Sequence, residues 1–143
     1  IFADALALFD KVQKKQERIS VMGRSLGSGA ATYLASKRPV EKMLLISPFD
    51  SIKSVAQNKF PIYPMFLLLK DKYDSIGRVK DISAKTIVLI AENDEVIPKK
   101  HSLRLISEFP PEQITVKTIS DAGHNDISNK MEYYNHLKDF LNN

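Results

Sequence analysis

Two runs, Lys42–Ser47 (KMLLIS) and Thr86–Ala91 (TIVLIA), are almost continuously apolar. A strand with one wet face alternates apolar and polar residues; a run without alternation reads as a strand covered on both faces, the condition of a parallel sheet flanked by helices. The rest of the chain supplies the flanking elements. Phe2, Ala5, Leu6, Phe9 and Val12 recur at helical spacing, which predicts an amphipathic helix over 2–12. After the polar stretch Gln13–Glu17, Ile19, Val21 and Met22 form a short strand leading into Gly23. Gly29–Ser36 (GAATYLAS) reads as a buried helix, Lys99–Phe109 as a helix stopped by Pro110-Pro111, and Ile114–Ile119 as a fourth strand. Ile127–Leu141 reads as a last helix with Met131, Tyr134, Leu137 and Leu141 on one side and Asp126 as its N-cap. Strands alternating with helices give an α/β fold with a parallel sheet. Only Pro48–Ser83 breaks the rhythm; it is long and holds Pro61, Pro64 and several large apolar residues.

Composition narrows the function. The 143 residues suit one domain, read as spanning 1–143. The formal net charge is +4, but the lysines are scattered and no basic stripe with interleaved aromatics appears, so no nucleic-acid partner is expected. The absence of cysteine excludes disulfides, thiolate catalysis and cysteine–zinc sites. The longest apolar run, around Ile62–Leu69, is far short of the roughly 20 residues that span a bilayer. No signal peptide is visible, which carries little weight in a chain that does not begin with Met; the expected location is cytoplasmic, with a targeting segment or membrane anchor upstream of Ile1 left open.

The feature richest in chemistry is Gly23-Arg24-Ser25-Leu26-Gly27, a G-x-S-x-G between a predicted strand and a predicted helix. That is the setting of a nucleophile elbow, where the chain turns sharply and Ser25 takes a strained conformation. Side chains at 23 and 27 are expected to collide across the turn, so glycine is required at both. The helix expected to begin near Ser28 aims its first N–H groups at the site, and the Leu26 N–H is the candidate oxyanion donor. The bland alternative is a Gly-rich strand-to-helix turn that only packs or cradles phosphate; the phosphate-loop patterns do not fit it.

A serine hydroxyl needs a base. Of the three histidines, His124 lies in a polar loop after the last strand (Asp121-Ala122-Gly123-His124-Asn125-Asp126), where ligands meet parallel sheets. His101 and His136 fall within helices and read as surface or packing residues. The base needs an acid to fix its tautomer. Asp94 follows the third strand in Ala91-Glu92-Asn93-Asp94-Glu95-Val96-Ile97-Pro98. Asp50, after the second strand, is the main rival, with Asp126 and Glu92 behind it.

Taken together, Gly-Arg-Ser-Leu-Gly-Ser-Gly, Ile46-Ser47-Pro48-Phe49, Asn93-Asp94-Glu95-Val96-Ile97-Pro98 and Gly123-His124-Asn125-Asp126 resemble the α/β-hydrolase superfamily. More narrowly, they resemble its serine-aminopeptidase-like and dienelactone-hydrolase-like branch, some of whose members are acyl-protein thioesterases. The resemblance covers the whole chain and implies Ser25 as nucleophile, Asp94 as acid and His124 as base, with no cofactor and no metal. Ala91 departs from the glycine often found before the acid loop. The family fold has about four further strands and a helix before the first helix seen here, and a loop among them gives the second oxyanion N–H. The chain is therefore read as the C-terminal half of the fold. The implied activity is cleavage of carboxylic esters or thioesters through an acyl-enzyme. A non-catalytic binding module of the same fold and a serine peptidase or aminopeptidase are the alternatives. Tyr63, Met65 and Phe66 are candidate acyl-pocket residues, although helical packing alone explains their spacing. The expected partner is a small-molecule or acylated substrate. The Ile19–Met22 strand, left as an edge, is expected to invite self-association.

Overall fold

A computed structural model of the chain describes residues 1–59 and 73–143. Four strands, β1 (Ser20–Arg24), β2 (Lys42–Ile46), β3 (Lys85–Ala91) and β4 (Ile114–Ile119), form one sheet in sequence order. Every pairing is parallel. Helices α1 (Phe2–Gln13), α2 (Leu26–Ala35), α3 (Ile52–Lys59), α4 (Lys99–Ile106) and α5 (Met131–Asn142) lie between and beside the strands, with 3-10 turns at Ile76–Asp81 and Ile127–Asn129. The α/β reading of the sequence is the observed architecture.

The pleat explains the two apolar runs. On β2, Met43 and Leu45 point to one face and Leu44 and Ile46 to the other. The first pair joins Phe9 of α1, Ala31 and Leu34 of α2 and Leu105 of α4 in one core. The second pair joins Ile87 and Leu89 of β3, then Ile127 and Tyr133, in a core beneath α5. Both faces of the central strands are dry, so neither can alternate with polar residues. Lys42 opens the β2 run yet is itself buried. Its Nζ donates to the Phe140 and Leu141 carbonyls at 3.2 and 2.7 Å, capping the C-terminus of α5 with a cation.

Several boundaries differ from the sequence expectations. α2 starts at Leu26, three residues before Gly29, because its first turn closes directly on Ser25: the Ser28 N–H donates to the Ser25 carbonyl at 2.9 Å. α4 ends at Ile106, before the prolines; Phe109 is buried in the core beyond the helix rather than on it. The last helix is interrupted. Ile127–Asn129 is a 3-10 turn, Lys130 is extended (φ −91°, ψ 132°), and α5 starts at Met131. That extended residue resets the helical phase, so Tyr133, Leu137 and Phe140 face the sheet. Met131, Tyr134 and Leu141, expected on the packed side, are exposed. Asp126 makes no side-chain cap bond; its Oδ1 accepts the Gly123 N–H at 2.6 Å and braces the loop before it.

Among the described residues, no helix is long and apolar enough to cross a membrane.

Candidate active site

The site assembles at the carboxyl ends of the strands. Ser25 follows β1 directly and has φ 49° and ψ −122°, a conformation L-residues rarely hold, costing on the order of 1–3 kcal/mol. Its N–H continues the sheet ladder, donating to the Ile46 carbonyl at 2.9 Å, while its carbonyl begins α2. Clamped on both sides, the residue projects its Oγ clear of the turn. The turn also needs a near contact. A Cβ on Gly23 would stand 2.4 Å from the Gly27 carbonyl oxygen and 2.8 Å from Ala31 Cβ, so only glycine fits there. At Gly27 a Cβ would meet nothing within 4 Å. The collision expected at both glycines is therefore real at one, because the α2 backbone crosses over position 23 and leaves position 27 open.

Ser25 Oγ lies 3.0 Å from His124 Nε2. The other ring nitrogen, Nδ1, lies 2.9 and 3.0 Å from the two oxygens of Asp94. An ionised carboxylate only accepts, so Nδ1 carries the proton and Nε2 presents its lone pair to the serine hydroxyl. Both side chains of the His124–Asp94 pair are buried. Asp94 Oδ1 also accepts the N–H groups of Val96 and Ile97 at 3.0 and 2.7 Å. Burial alone raises the Asp94 pKa. The Ser47 hydroxyl, the Ile97 N–H and the His124 imidazole together outweigh that, and the carboxyl is held below the ordinary aspartate value. Ser47 Oγ is buried and completes no hydrogen bond of ordinary geometry among the described residues, so it acts on Asp94 as a nearby dipole.

The rival residues are engaged elsewhere. Asp50, buried after β2, meets His101 Nδ1 at 2.9 Å, the Ser51 N–H at 2.7 Å and Arg104 at 2.9 Å. His101 is thus a core residue pinning α4 to the start of α3, with its Nε2 buried and without a partner among the described residues. Glu92 accepts the Asp121 N–H at 2.9 Å, and His136 meets Glu132 one turn back on α5 at 3.3 Å.

Beside Ser25 is an apolar cavity of about 220 Å³ lined by Leu26, Phe49, Ile52, Val55 and Ile97. The Leu26 N–H heads α2, where no intrahelical acceptor exists for it. Tyr63, Met65 and Phe66 lie outside the described residues. Sequence reasoning missed the cavity-lining Ile52 and Val55. Their i, i+3 spacing at the start of a helix directly after Phe49 was the available signal.

A parallel sheet of this order, with a serine on a strained strand-to-helix turn and an aspartate–histidine pair on loops after later strands, is the architecture of the α/β-hydrolase fold, and the chain is similar in sequence to proteins of that kind. Its sequence is similar to an uncharacterised protein of Mycobacterium tuberculosis, 36% identical over 110 residues, covering 76% of this chain and 38% of that one. It is also similar to the alpha/beta hydrolase domain-containing protein 17C of Homo sapiens, 30% identical over 125 residues, covering 87% of this chain and 36% of that one. The chain spans about two fifths of the length of such relatives. No protein-family model matches it. Among solved structures it shares its fold with a monoacylglycerol lipase of Paleococcus ferrophilus (TM-score 0.69, 18% identity, 98% of this chain and 74% of that one). An acetyl xylan esterase from Paenibacillus sp. R4 is similar too (TM-score 0.75, 19% identity, 98% of this chain and 50% of that one).

Proposed function

We propose that Ser25, His124 and Asp94 form a catalytic triad, and that the protein carrying this chain hydrolyses carboxylic esters or thioesters through an acyl-enzyme. The observation that carries this reading is the unbroken hydrogen-bond path from Ser25 Oγ through both nitrogens of His124 to Asp94, starting from a strained serine. Strain of this kind persists only where the surroundings hold it. A packing turn has no use for a serine hydroxyl aligned on a buried, tautomer-fixed imidazole.

The chemistry follows from the geometry. His124 Nε2 takes the proton as Ser25 Oγ attacks the acyl carbon, and the carbonyl π-electrons move onto oxygen. The Leu26 N–H and the positive end of α2 stabilise that oxyanion. Asp94, held ionised, stabilises the imidazolium. When the tetrahedral intermediate collapses, His124 returns the proton to the departing alcohol or thiol, leaving the acyl group on Ser25. Water, deprotonated by the same nitrogen, attacks the acyl-enzyme; the acid leaves and Ser25 regains its proton. The cavity is lined by Leu26, Phe49, Ile52, Val55 and Ile97 beside Ser25, and this apolar lining among the described residues suits an acyl chain.

A fluorophosphonate probe is the direct test. It should label the intact protein at Ser25, and Ser25→Ala should abolish labelling. Labelling that persists in Ser25→Ala would refute the assignment. Asp94→Asn should lower kcat by about 10⁴, the cost of the wrong tautomer in triads generally.

A further inference from the structure

Arg24, the residue immediately before Ser25, has no part in the mechanism above. It ends β1, and the strand's pleat sends its side chain to the face that carries α5: its β2 neighbour in register, Ile46, belongs to the core beneath that helix. There its Nη2 donates to the main-chain carbonyl of His124 at 2.6 Å, across 100 residues of sequence. The guanidinium lies close enough to Tyr133 of α5 for its charge to oppose the burial that raises that phenol's pKa. It forms no ion pair with any described residue. A half-buried guanidinium with no carboxylate partner is not explained as a stabilising ion pair. The hydrogen bond it makes among the described residues falls on the residue whose ring faces Ser25.

We infer that Arg24 is a positioning residue: it ties the main chain of His124 to the strand that carries Ser25 and so sets the distance between base and nucleophile. This rests on the triad reading for its catalytic consequence. The His124 loop is fixed at its start by the Asn93 N–H on the Ala122 carbonyl at 2.9 Å and by the Gly123 N–H on Asp126. Those bonds tie the loop to the β3 end and to itself. Arg24 supplies the bond toward β1. A charged donor on a carbonyl is among the stronger hydrogen bonds. The imidazole is attached to the same residue whose carbonyl is held, so loosening the carbonyl loosens the ring. Misplacing a reacting group by about 1 Å can cost on the order of 10²-fold in rate.

The test compares Arg24→Met, which keeps the apolar stem and removes the donor, with Arg24→Lys, which keeps a cationic donor. Both are made in the intact protein, with p-nitrophenyl butyrate as substrate. Arg24→Met should lower kcat between about 10- and 100-fold with KM unchanged, and Arg24→Lys should restore most of the loss. The downfield imidazole N–H resonance of the His124–Asp94 pair, read by proton NMR, should broaden in Arg24→Met and sharpen again in Arg24→Lys. An unchanged kcat in Arg24→Met, or a rise in KM at constant kcat, overturns the inference; the latter would make Arg24 a substrate contact. If Arg24→Met does not fold, Arg24→Gln, which shortens the side chain and removes the charge, takes its place, with the same expected loss and the same overturning result. The resonance reports the tether whether or not the protein turns over substrate. If Ser25→Ala retains activity, the triad reading fails while the NMR arm still judges Arg24.

Discussion

The asymmetry between Gly23 and Gly27 gives a sharp test of how the turn is built. In Gly23→Ala the new methyl would sit 2.4 Å from the Gly27 carbonyl oxygen, 2.8 Å from the Gly27 carbonyl carbon and 2.8 Å from Ala31 Cβ. Ordinary contact begins near 3.5 Å, so α2 must retreat from β1 by about 1 Å. Two of the offending atoms are backbone, which leaves no side chain to rotate away. Overpacking of this kind costs about 1–3 kcal/mol. The retreat also falls on Ser25 and Leu26, which lie between the two glycines, and a shift of that size can remove on the order of 10²-fold in rate. Gly27→Ala meets nothing within 4 Å. Gly27 lies within α2, where alanine is better than glycine by about 0.5–1 kcal/mol, so this variant should be as stable as the wild type or slightly more so. Urea unfolding measures the first quantity, and the rate of fluorophosphonate labelling of the folded protein measures the second. Equal destabilisation by the two substitutions would refute the reasoning, because it would mean that the turn requires glycine for conformation at both positions rather than for clearance at one.

Three further outcomes are expected. The folded Asp94 pKa lies below the ordinary 3.8, so its contribution to stability is complete above that value and lost as pH falls through the lower folded one. The stability gap between wild type and Asp94→Asn should therefore be flat above about pH 5 and close below about pH 4 in urea titrations; a gap that closes toward alkaline pH contradicts this. Lys42→Met should lower stability by about 1–3 kcal/mol, the cost of losing a charged hydrogen-bond donor from the C-terminal carbonyls of α5, and an unchanged urea midpoint would show that the cap is dispensable. Among the described residues β1 pairs only with β2, and Met22 on it is 60% exposed. The 143-residue chain on its own should therefore run above monomer mass by light scattering, and Met22→Lys should shift it toward monomer.

Much of this fold could be read from the sequence because its most buried strands carry the least ambiguous pattern. KMLLI and TIVLIA allow one interpretation, and the Ser25, Asp94 and His124 segments fall at strand ends where a parallel sheet gathers its loops. What failed were features set by events between elements. The last helix was read as continuous from Ile127 because apolar spacing cannot register one extended residue at Lys130, and that residue rotates the packed face from Met131 and Tyr134 to Tyr133 and Phe140. Lys42 was counted within an apolar strand, and nothing local reveals that its amine reaches a helix end almost 100 residues away. Arg24 passed as the variable position of a five-residue motif, because its partner is a main-chain carbonyl and carbonyls have no sequence signature. His101 reads equally as a surface or a packing residue, and the packing alternative holds because its partner, Asp50, lies at another strand end.

The strained residues show where the site's precision originates. Ser25, Ser47 and Asp121 are the described non-glycine residues with positive φ, and they follow the ends of β1, β2 and β4. Ser25 and Ser47 each extend the ladder by one bond beyond the strand, Ser25 N–H to the Ile46 carbonyl and Ser47 N–H to the Leu89 carbonyl, both at 2.9 Å. The backbone is therefore held to the sheet at the point where it turns against its own preference. Each such turn costs on the order of 1–3 kcal/mol, and β2 and β3, dry on both faces, are the part of the molecule able to offset it. Register then carries position: because Arg24 pairs with Ile46 and Ile46 with Leu89, Ser25 and Ser47 emerge in step. Ser25 presents its hydroxyl to His124, and Ser47 stands beside the Asp94 that holds that histidine. The distances among the three side chains are thus fixed by the rigid sheet beneath them, and the loops have only to close the last few ångströms, which the Asp94 turn, the Asp126 brace and Arg24 each do from a different side.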